Sequence, residues 1–441
     1  MFNTLANAFK VKEIRQKILF TLLMLVIIRI GSLLPIPGVN TAYFTSLFNG
    51  EGLGLMNAMS GGALSQGSVF ALGVSPYITS SIIVQLLTIA IPALEEMQKD
   101  GEDGRKKIAT ITRYVTVVLA LVQSIAMIIG FGNSGLIRGY SSMHVGEKIF
   151  SGALMATVLT AGSAILMWIG EKITEKGIGN GISIVLIINI ISTMPEDFVK
   201  LFEQFVKGQS VLKATIAIVA ILVIVLGVVI LTVLVCAGER KIPVQYSKKI
   251  QGRKAYGGNN SHIPLKVNTA GVIPVIFAQS LLSVPAIIAS FAKMDYNTVG
   301  GKIIMALQSQ NWFDKKNMIY TLGLILYIAL IFFFAYFYTS ITFNPVEVAN
   351  NMKKSGGFIP GIRPGKSTSD YLTKILNKMI FIGACALIIV AIIPIICSGL
   401  FGANVSFGGT SLIIIVGVVI ETIRQIESQI VVRDYKGFLN D

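Results

Sequence analysis

Charge is scarce in this chain. Asp, Glu, Lys and Arg make up 13% of 441 residues, and there are three Cys, two His and two Trp. A soluble domain needs charged surface on every side, so this thin supply beside 53% hydrophobic residues excludes that class and points to a polytopic membrane protein. The cysteines exclude a disulfide framework or a thiolate metal centre. Cys236, Cys385 and Cys397 are odd in number, lie in or at the ends of expected helices, and have no metal-ligand spacing with His144 or His262. Apart from Glu421 in the last, acidic residues are missing from the middle of the expected membrane helices, where a proton-coupled pump or an intramembrane protease would use them. No His-Glu-x-x-His or Gly-x-Ser-x-Gly occurs. Arg363-Pro-Gly-Lys-Ser-Thr368 imitates the end of a phosphate-binding loop, but its first Gly would fall at Pro360 and no strand is expected before it. The chain therefore reads as no enzyme, with no cofactor and no metal.

What is abundant is apolar sequence in runs long enough to cross a bilayer. They lie near 18–36, 74–93, 111–131, 152–170, 181–199, 212–236, 267–291, 317–341, 374–396 and 409–430, and predict an all-α protein with ten transmembrane helices. Lys10, Lys12, Arg15 and Lys17 precede the first run as in a signal sequence. No small-residue cleavage site follows, and Leu34-Pro-Ile-Pro-Gly38 stops the helix, so the first span is read as retained. With both termini cytoplasmic, the cytoplasmic segments hold about 27 of the 37 basic residues, against about nine outside. Insertion needs only a few of these. The long loops at about 237–266 and 342–373 carry more than that, and predict a basic docking face.

Between Gly52 and Leu94 there is no charged residue or His, yet residues 52–68 are too rich in Gly, Ser and Asn to face lipid. Irregular backbone at membrane depth is tolerated only inside protein or beside water, which predicts a pore or translocation site. Arg29, deep in the first span, must likewise face protein or water and find carbonyls or hydroxyls such as Ser32. Gly73-Val-Ser-Pro76 opens the second span and Gly271-Val-Ile-Pro274 lies early in the seventh. Those are equivalent places in two five-helix halves, and since five is odd the halves would be inverted; matching Gly/Pro interruptions mark a site at the repeat interface. The halves would be 1–205 and 206–441. Polar residues on the two segments, Thr79, Ser80, Ser81 and Gln85 against Asn268, Gln279, Ser280 and Ser283, could bond across that interface at about 0.6 kcal/mol a pair.

Several blocks, in order along nearly the whole chain, resemble the SecY family, channel subunits of the Sec protein translocase. They are Arg29-Ile-Gly-Ser32, Pro35-Ile-Pro-Gly38, Ser60-Gly-Gly-Ala-Leu-Ser65, Phe70-Ala-Leu-Gly73, Pro76-Tyr-Ile78, Glu175-Lys-Gly-Ile-Gly-Asn-Gly-Ile-Ser183, Pro264-Leu-Lys-Val-Asn268, Ala270-Gly-Val-Ile-Pro274, Phe343-Asn-Pro345, Lys353-Lys-Ser-Gly-Gly-Phe-Ile-Pro-Gly-Ile-Arg-Pro-Gly365 and Phe407-Gly-Gly-Thr-Ser411.

The resemblance implies a clamshell of two inverted halves around a central hourglass pore that conducts unfolded secretory polypeptides and inserts membrane proteins. It places a pore ring at Val74, Ile78, Leu186, Ile190, Ile276 and Ile414, with Val at 74 where Ile is more usual. It implies a plug over about 53–67, including Leu53, Met56, Asn57, Met59, Ser60, Gly61, Gly62, Ala63, Leu64 and Ser65. It also implies a lateral gate for signal sequences, carrying Thr79, Ser81, Gln85, Asn268, Gln279, Ser280 and Ser283. Docking of the motor ATPase SecA and of ribosomal RNA would use Arg240, Lys241, Lys248, Lys249, Arg253, Lys254, Lys353, Lys354 and Arg363. Further implied partners are SecE, SecG, nascent polypeptides and the lipid bilayer, in a bacterial plasma membrane. The alternatives are a solute transporter built on inverted repeats, which would normally show charged or coordinating residues at mid-membrane, and an intramembrane hydrolase, which would need a nucleophile and base, or paired acids, within its helices.

Overall fold

The computed structural model describes residues 9, 11–48, 54–131, 135–139, 143–207, 210–246, 249–251, 254–256, 260–291, 298–312, 318–401 and 409–437. Each of the ten expected spans is a helix: α1 Lys12–Leu33, α4 Ser75–Ala90, α6 Glu102–Phe131, α7 Val145–Lys176, α8 Gly181–Phe205, α9 Val211–Ala237, α10 Ile273–Phe291, α12 Leu322–Thr342, α14 Lys366–Phe401 and α15 Gly409–Gly437. Between them lie short helices α2 Thr41–Phe48, α3 Gly54–Met59, α5 Pro92–Lys99, α11 Val299–Leu307 and α13 Pro345–Lys354. By length and composition, seven of the described helices suffice to cross a membrane, and α4 joins them if its bent continuation α5 is counted with it. The 101° bend falls where Pro92 follows Ile91.

Several ends differ from the hydropathy reading. The seventh span starts at Ile273 rather than 267, the fifth runs on to Phe205 rather than 199, and the ninth begins at Lys366 rather than 374. At 36 residues α14 is about 54 Å long, well beyond a hydrocarbon core of about 30 Å, so part of it stands clear of the bilayer.

The repeat hinted at by Gly73 and Gly271 is present in the backbone. Both glycines are left-handed, at φ +60° and +64°. In each case the helix starts two residues later, at Ser75 and Ile273, with proline second in the helix at Pro76 and Pro274. Proline is tolerated there because the first turn has no use for its missing N–H.

Helix contacts divide the bundle in two. α4 packs on α6, α6 on α7 and α7 on α8, with α1 against α7 and α8. In the second group α10 packs on α12, α12 on α14 and α14 on α15, with α9 against α14 and α15. The groups meet along α8 with α9 and α15 on one side, and along α4 and α6 with α10 on the other.

The two long basic loops fold together, which hydropathy does not foresee. β1 Glu239–Tyr246 pairs antiparallel with β4 Asn260–Lys266 in the register Glu239↔Lys266 to Gln245↔Asn260, and on its other edge with β5 Gly357–Phe358 through Gln245↔Phe358. Between β1 and β4, β2 Lys249–Gln251 and β3 Lys254–Tyr256 form a second small hairpin. Ile242 and Val244 alternate inward along β1, as the pleat requires, and join Leu265, Met352, Ile359 and Leu372 in a separate core. β5 does precede the Arg363–Thr368 run, contrary to the sequence reading, but Pro360 still excludes a phosphate loop.

Close helix approach depends on glycine. A Cβ at Gly181 would lie 1.8 Å from the Gly170 carbonyl, and one at Gly162 would lie 2.0 Å from that of Val69. Gly227, inside α9, has open space instead. Gly181→Ala should therefore cost about 3 kcal/mol or more through forced backbone shifts, while Gly227→Ala should be neutral or slightly stabilising. Thermal unfolding of the two purified variants in detergent checks this, and equal melting temperatures would contradict it.

Candidate pore, plug and lateral seam

The six residues expected as a ring come from four helices and fall in or against one large apolar cluster. Val74 caps α4 and Ile78 follows one turn on; Leu186 and Ile190 are one turn apart on α8; Ile276 is on α10 and Ile414 on α15. Val74, Ile78, Leu186, Ile190 and Ile414 are buried in one apolar cluster, and Ile276 is half-buried against it. Every one of these side chains is aliphatic, so the centre of the bundle, where its halves meet, has no polar atom from any of the six.

The segment expected as a plug is packed into and against this cluster. Its helix α3 contacts α8, Ala63 is fully buried in the same apolar cluster, and Met59 packs against that cluster. After α3 the chain has no regular structure through Gly73, and most of its polar side chains bond inside the protein, while Ser68 Oγ is buried without a hydrogen-bond partner. Ser60 Oγ accepts from Leu64 N at 3.1 Å, Asn57 Oδ1 accepts from Ser65 N at 2.9 Å, and Ser65 Oγ donates to Gly62 O at 2.9 Å. Gly61 and Gly62 are left-handed, at φ +71° and +80°, which makes the tight reversal possible. Ile36 N bonds Gly67 O and Val69 N bonds Leu34 O, tying the segment to the end of α1, and Ser163 on α7 donates to Gly73 O at 3.2 Å. Leu53 lies outside the described residues, as does the side chain of Met56.

Arg29 finds a carbonyl and a hydroxyl as expected, though the hydroxyl is that of Ser192 rather than Ser32. Its Nη1 donates to Gly61 O at 3.1 Å and to Ser192 Oγ at 2.9 Å, and Asn189 Nδ2 donates to Met59 O at 2.9 Å. Ser32 bonds only the Arg29 carbonyl. Sequence reading missed Asn189 and Ser192. The signal available was a polar residue one position before ring residue Ile190, three residues ahead of a second one.

Along the α4–α10 seam the expected polar residues bond within their own helices. Thr79 Oγ1 donates to Ser75 O at 3.1 Å, Gln85 Nε2 reaches Ser81 Oγ at 3.5 Å, and Ser283 Oγ donates to Gln279 O at 2.7 Å. Among the described residues no hydrogen bond joins the α4 set to Gln279, Ser280 or Ser283. Gln85 Oε1 is buried without a hydrogen-bond partner. Asn268 is not on α10 at all. It precedes that helix and packs against α14, where a Cβ on Gly383 would lie 3.5 Å from its Cα. The polar bonding of α4 is directed to α6: Ser80 Oγ pairs with Thr116 Oγ1, both fully buried.

Asp197 also escaped the sequence reading, because the expected span ended near it. In the longer α8 it is almost completely buried, with Lys200 Nζ 3.7 Å from its carboxylate.

The basic residues lie on the folded loops. Arg240 and Lys241 are exposed on β1, and Lys353 and Lys354 are exposed at the end of α13, which the Asn344 side chain caps by accepting from Val346 N and Glu347 N. Arg363 is exposed between Gly361 and Gly365, at φ +81° and +106°, with its carbonyl accepting from Thr368 Oγ1 at 2.8 Å. Lys248 and Arg253 lie outside the described residues, as do the side chains of Lys249 and Lys254.

A membrane helix bundle in two groups, with aliphatic side chains from both in one cluster, an irregular segment packed against that cluster and a seam between the groups, fits a channel architecture. The comparisons agree. A family model described as SecY matches residues 68–423. The chain is 45% identical over 451 residues to protein translocase subunit SecY of Streptomyces coelicolor, covering 100% of both chains. Its fold is similar to a solved structure described as a protein-conducting channel, with TM-score 0.64 and 18% identity over 94% of this chain and 92% of the other. It is also similar to Sec61 in a canine ribosome-channel complex, with TM-score 0.62 and 18% identity over the same shares of each chain. The chain belongs to the SecY family, and it is a protein-translocase channel subunit rather than an enzyme.

The Ser80–Thr116 pair holds α4 to α6 and so fixes one wall of the seam. A double-mutant cycle with Ser80→Ala and Thr116→Ala should give a coupling energy of about 0.6 kcal/mol, in the range measured for interhelical hydrogen bonds in membranes. Additive single-variant effects in unfolding from detergent would contradict that coupling.

Proposed function

We propose that this chain is the passive conduit of a bacterial plasma-membrane translocase, with both termini in the cytoplasm. Unfolded secretory polypeptides cross it, and membrane segments leave it sideways. The observation that supports this reading is that six aliphatic side chains from helices of both halves fall in or against one apolar cluster, and we read them as the constriction. A constriction without polar atoms gives an ion nothing to replace its hydration shell, and gates by dewetting. An extended peptide, whose side chains are themselves partly apolar, can still force it apart.

The remaining roles follow from position. Residues 54–67 are the plug, small enough to pack under the ring and to be displaced. The α4/α6–α10 seam is the lateral gate. Its polar groups bond within their own helices and leave the two walls held mainly by packing, which suits a seam that must open; lipid beyond it offers an apolar signal sequence a place to partition. The α8–α9–α15 side is the hinge. The face built on β1, β4, β5 and α13 docks the motor SecA and the ribosome. Its positive charge suits RNA phosphates, and a relative's structure in a ribosome-channel complex supports the ribosome as partner. SecE would clasp the two halves and SecG would lie at the periphery.

Reconstitution of the chain with SecE in liposomes tests the reading. Added SecA, ATP and a secretory precursor should yield precursor protected from external protease; accumulation of a small solute without the motor would instead support a carrier. Arg363→Glu should abolish motor-driven protection while leaving the folded bundle intact by thermal unfolding. Full activity of that variant would remove Arg363 from the docking surface. Ribosome binding should weaken steeply between low and physiological salt, the logarithm of the affinity falling linearly with the logarithm of salt concentration. An affinity that stays level across that range would contradict recognition of RNA phosphates.

A further inference from the structure

We propose that Arg29, Asn189 and Ser192 form a main-chain binding site that holds the plug at rest and receives the backbone of the polypeptide in transit. The idea rests on the conduit reading. At rest the occupants are two carbonyls at and just past the end of α3, where a helix leaves its last carbonyls without internal partners. Asn189 Nδ2 donates to Met59 O at 2.9 Å, and Arg29 Nη1 donates to Gly61 O at 3.1 Å. Ser192 orders the pair: its Oγ accepts from Arg29 at 2.9 Å, donates to Asn189 O at 2.6 Å and lies 3.3 Å from Gly61 O.

Three features show a site rather than simple packing. Asn189 is buried to 1% exposure, yet its Oδ1 has no hydrogen-bond partner, leaving an acceptor ready for an N–H. Beside it is Gly61, where a Cβ, if present, would lie 2.9 Å from both that Oδ1 and Arg29 Nη1. Arg29 has five N–H donors, of which one nitrogen is engaged among the described residues. Donors and an unused acceptor on adjacent helices match one edge of an extended chain, along which N–H and C=O of every second residue point the same way. The plug uses only the carbonyl half of that capacity. A passing polypeptide of any sequence can use both.

All three residues are on α1 and α8, in the first half, and none is on α10 or α12. Opening the α4/α6–α10 seam therefore leaves the site closed on the plug. Release needs a competing backbone, so seam opening and plug departure are separate events, and the channel stays sealed until a polypeptide arrives.

Two measurements on the full chain, with its three native cysteines replaced by alanine, test this. A cysteine in place of the buried Ala63 reports plug position through its alkylation rate with a membrane-impermeant maleimide. Asn189→Leu and Ser192→Ala should each raise that rate, and together raise it about tenfold, the effect of two broken membrane hydrogen bonds. Unchanged rates in both variants would overturn the proposal. In the second measurement Asn189→Cys is combined with a stalled precursor carrying single cysteines at six consecutive positions. Disulfide adducts at most of them are expected for a site that reads backbone, whereas no adducts at any position would overturn the transit role. If the unsubstituted chain protects no precursor at all, the conduit reading fails, while the alkylation result still decides whether the site holds the plug.

Discussion

Backbone polar groups at membrane depth have no water to bond, and the centre of this molecule is arranged around that constraint. Residues 60–73 are not helical, yet they are packed into the middle of the bundle. Each turn of the segment is closed by its own Asn57, Ser60 and Ser65 side chains or by donors reaching in from α1, α7 and α8. An uncharged stretch is the only kind that could fill such a place next to an aliphatic ring, since an unpaired charge there would bring water with it. Among the described residues Arg29 is the cation that reaches this segment, and its guanidinium is directed at the segment's own backbone and at Ser192.

The same economy explains how the molecule can be tight and still open. Hydroxyl pairs such as Ser80–Thr116 and Ser124–Thr160 bind helices within the first half, and glycine contacts bring α7 and α8 within van der Waals distance. Across the α4–α10 seam those devices are lacking among the described residues. Apart from Gln85 Oε1, which is buried without a partner, the polar side chains described there bond within their own wall, so parting the walls exposes few groups that were bonded to each other. A strong half and a weak seam are what a hinged channel needs.

Sequence reading recovered the ten helices because each contains a run of apolar residues of about the length a bilayer requires, a signal independent of tertiary context. It misplaced ends where helices continue past the apolar stretch, as α8 does to Phe205 and α14 does before residue 374. It missed the β1–β4–β5 sheet because pairings such as Gln245↔Phe358 join residues more than a hundred apart, and no local pattern encodes that. The ring was visible only through family resemblance: Ile190 or Ile414, taken alone, has the same character as any packed core residue. Arg29 stood out as a charge where charge is costly, whereas Ser192, 163 positions away, looked like any other serine on an apolar helix. The Gly-Val-x-Pro match at 73 and 271 was short, but it encoded a geometric repeat, because only glycine takes the left-handed turn at low cost immediately before each helix.

Single-channel conductance across a planar bilayer tests the central claim most directly. With the chain and its partner subunits incorporated and no polypeptide present, the aliphatic ring and the plug beneath it should show no resolvable ion current. Replacing Ile190 and Ile414 together by serine should produce discrete openings by letting the constriction wet. Steady conductance of the unsubstituted channel, or a silent double variant with the plug removed, would contradict a seal made by an apolar constriction.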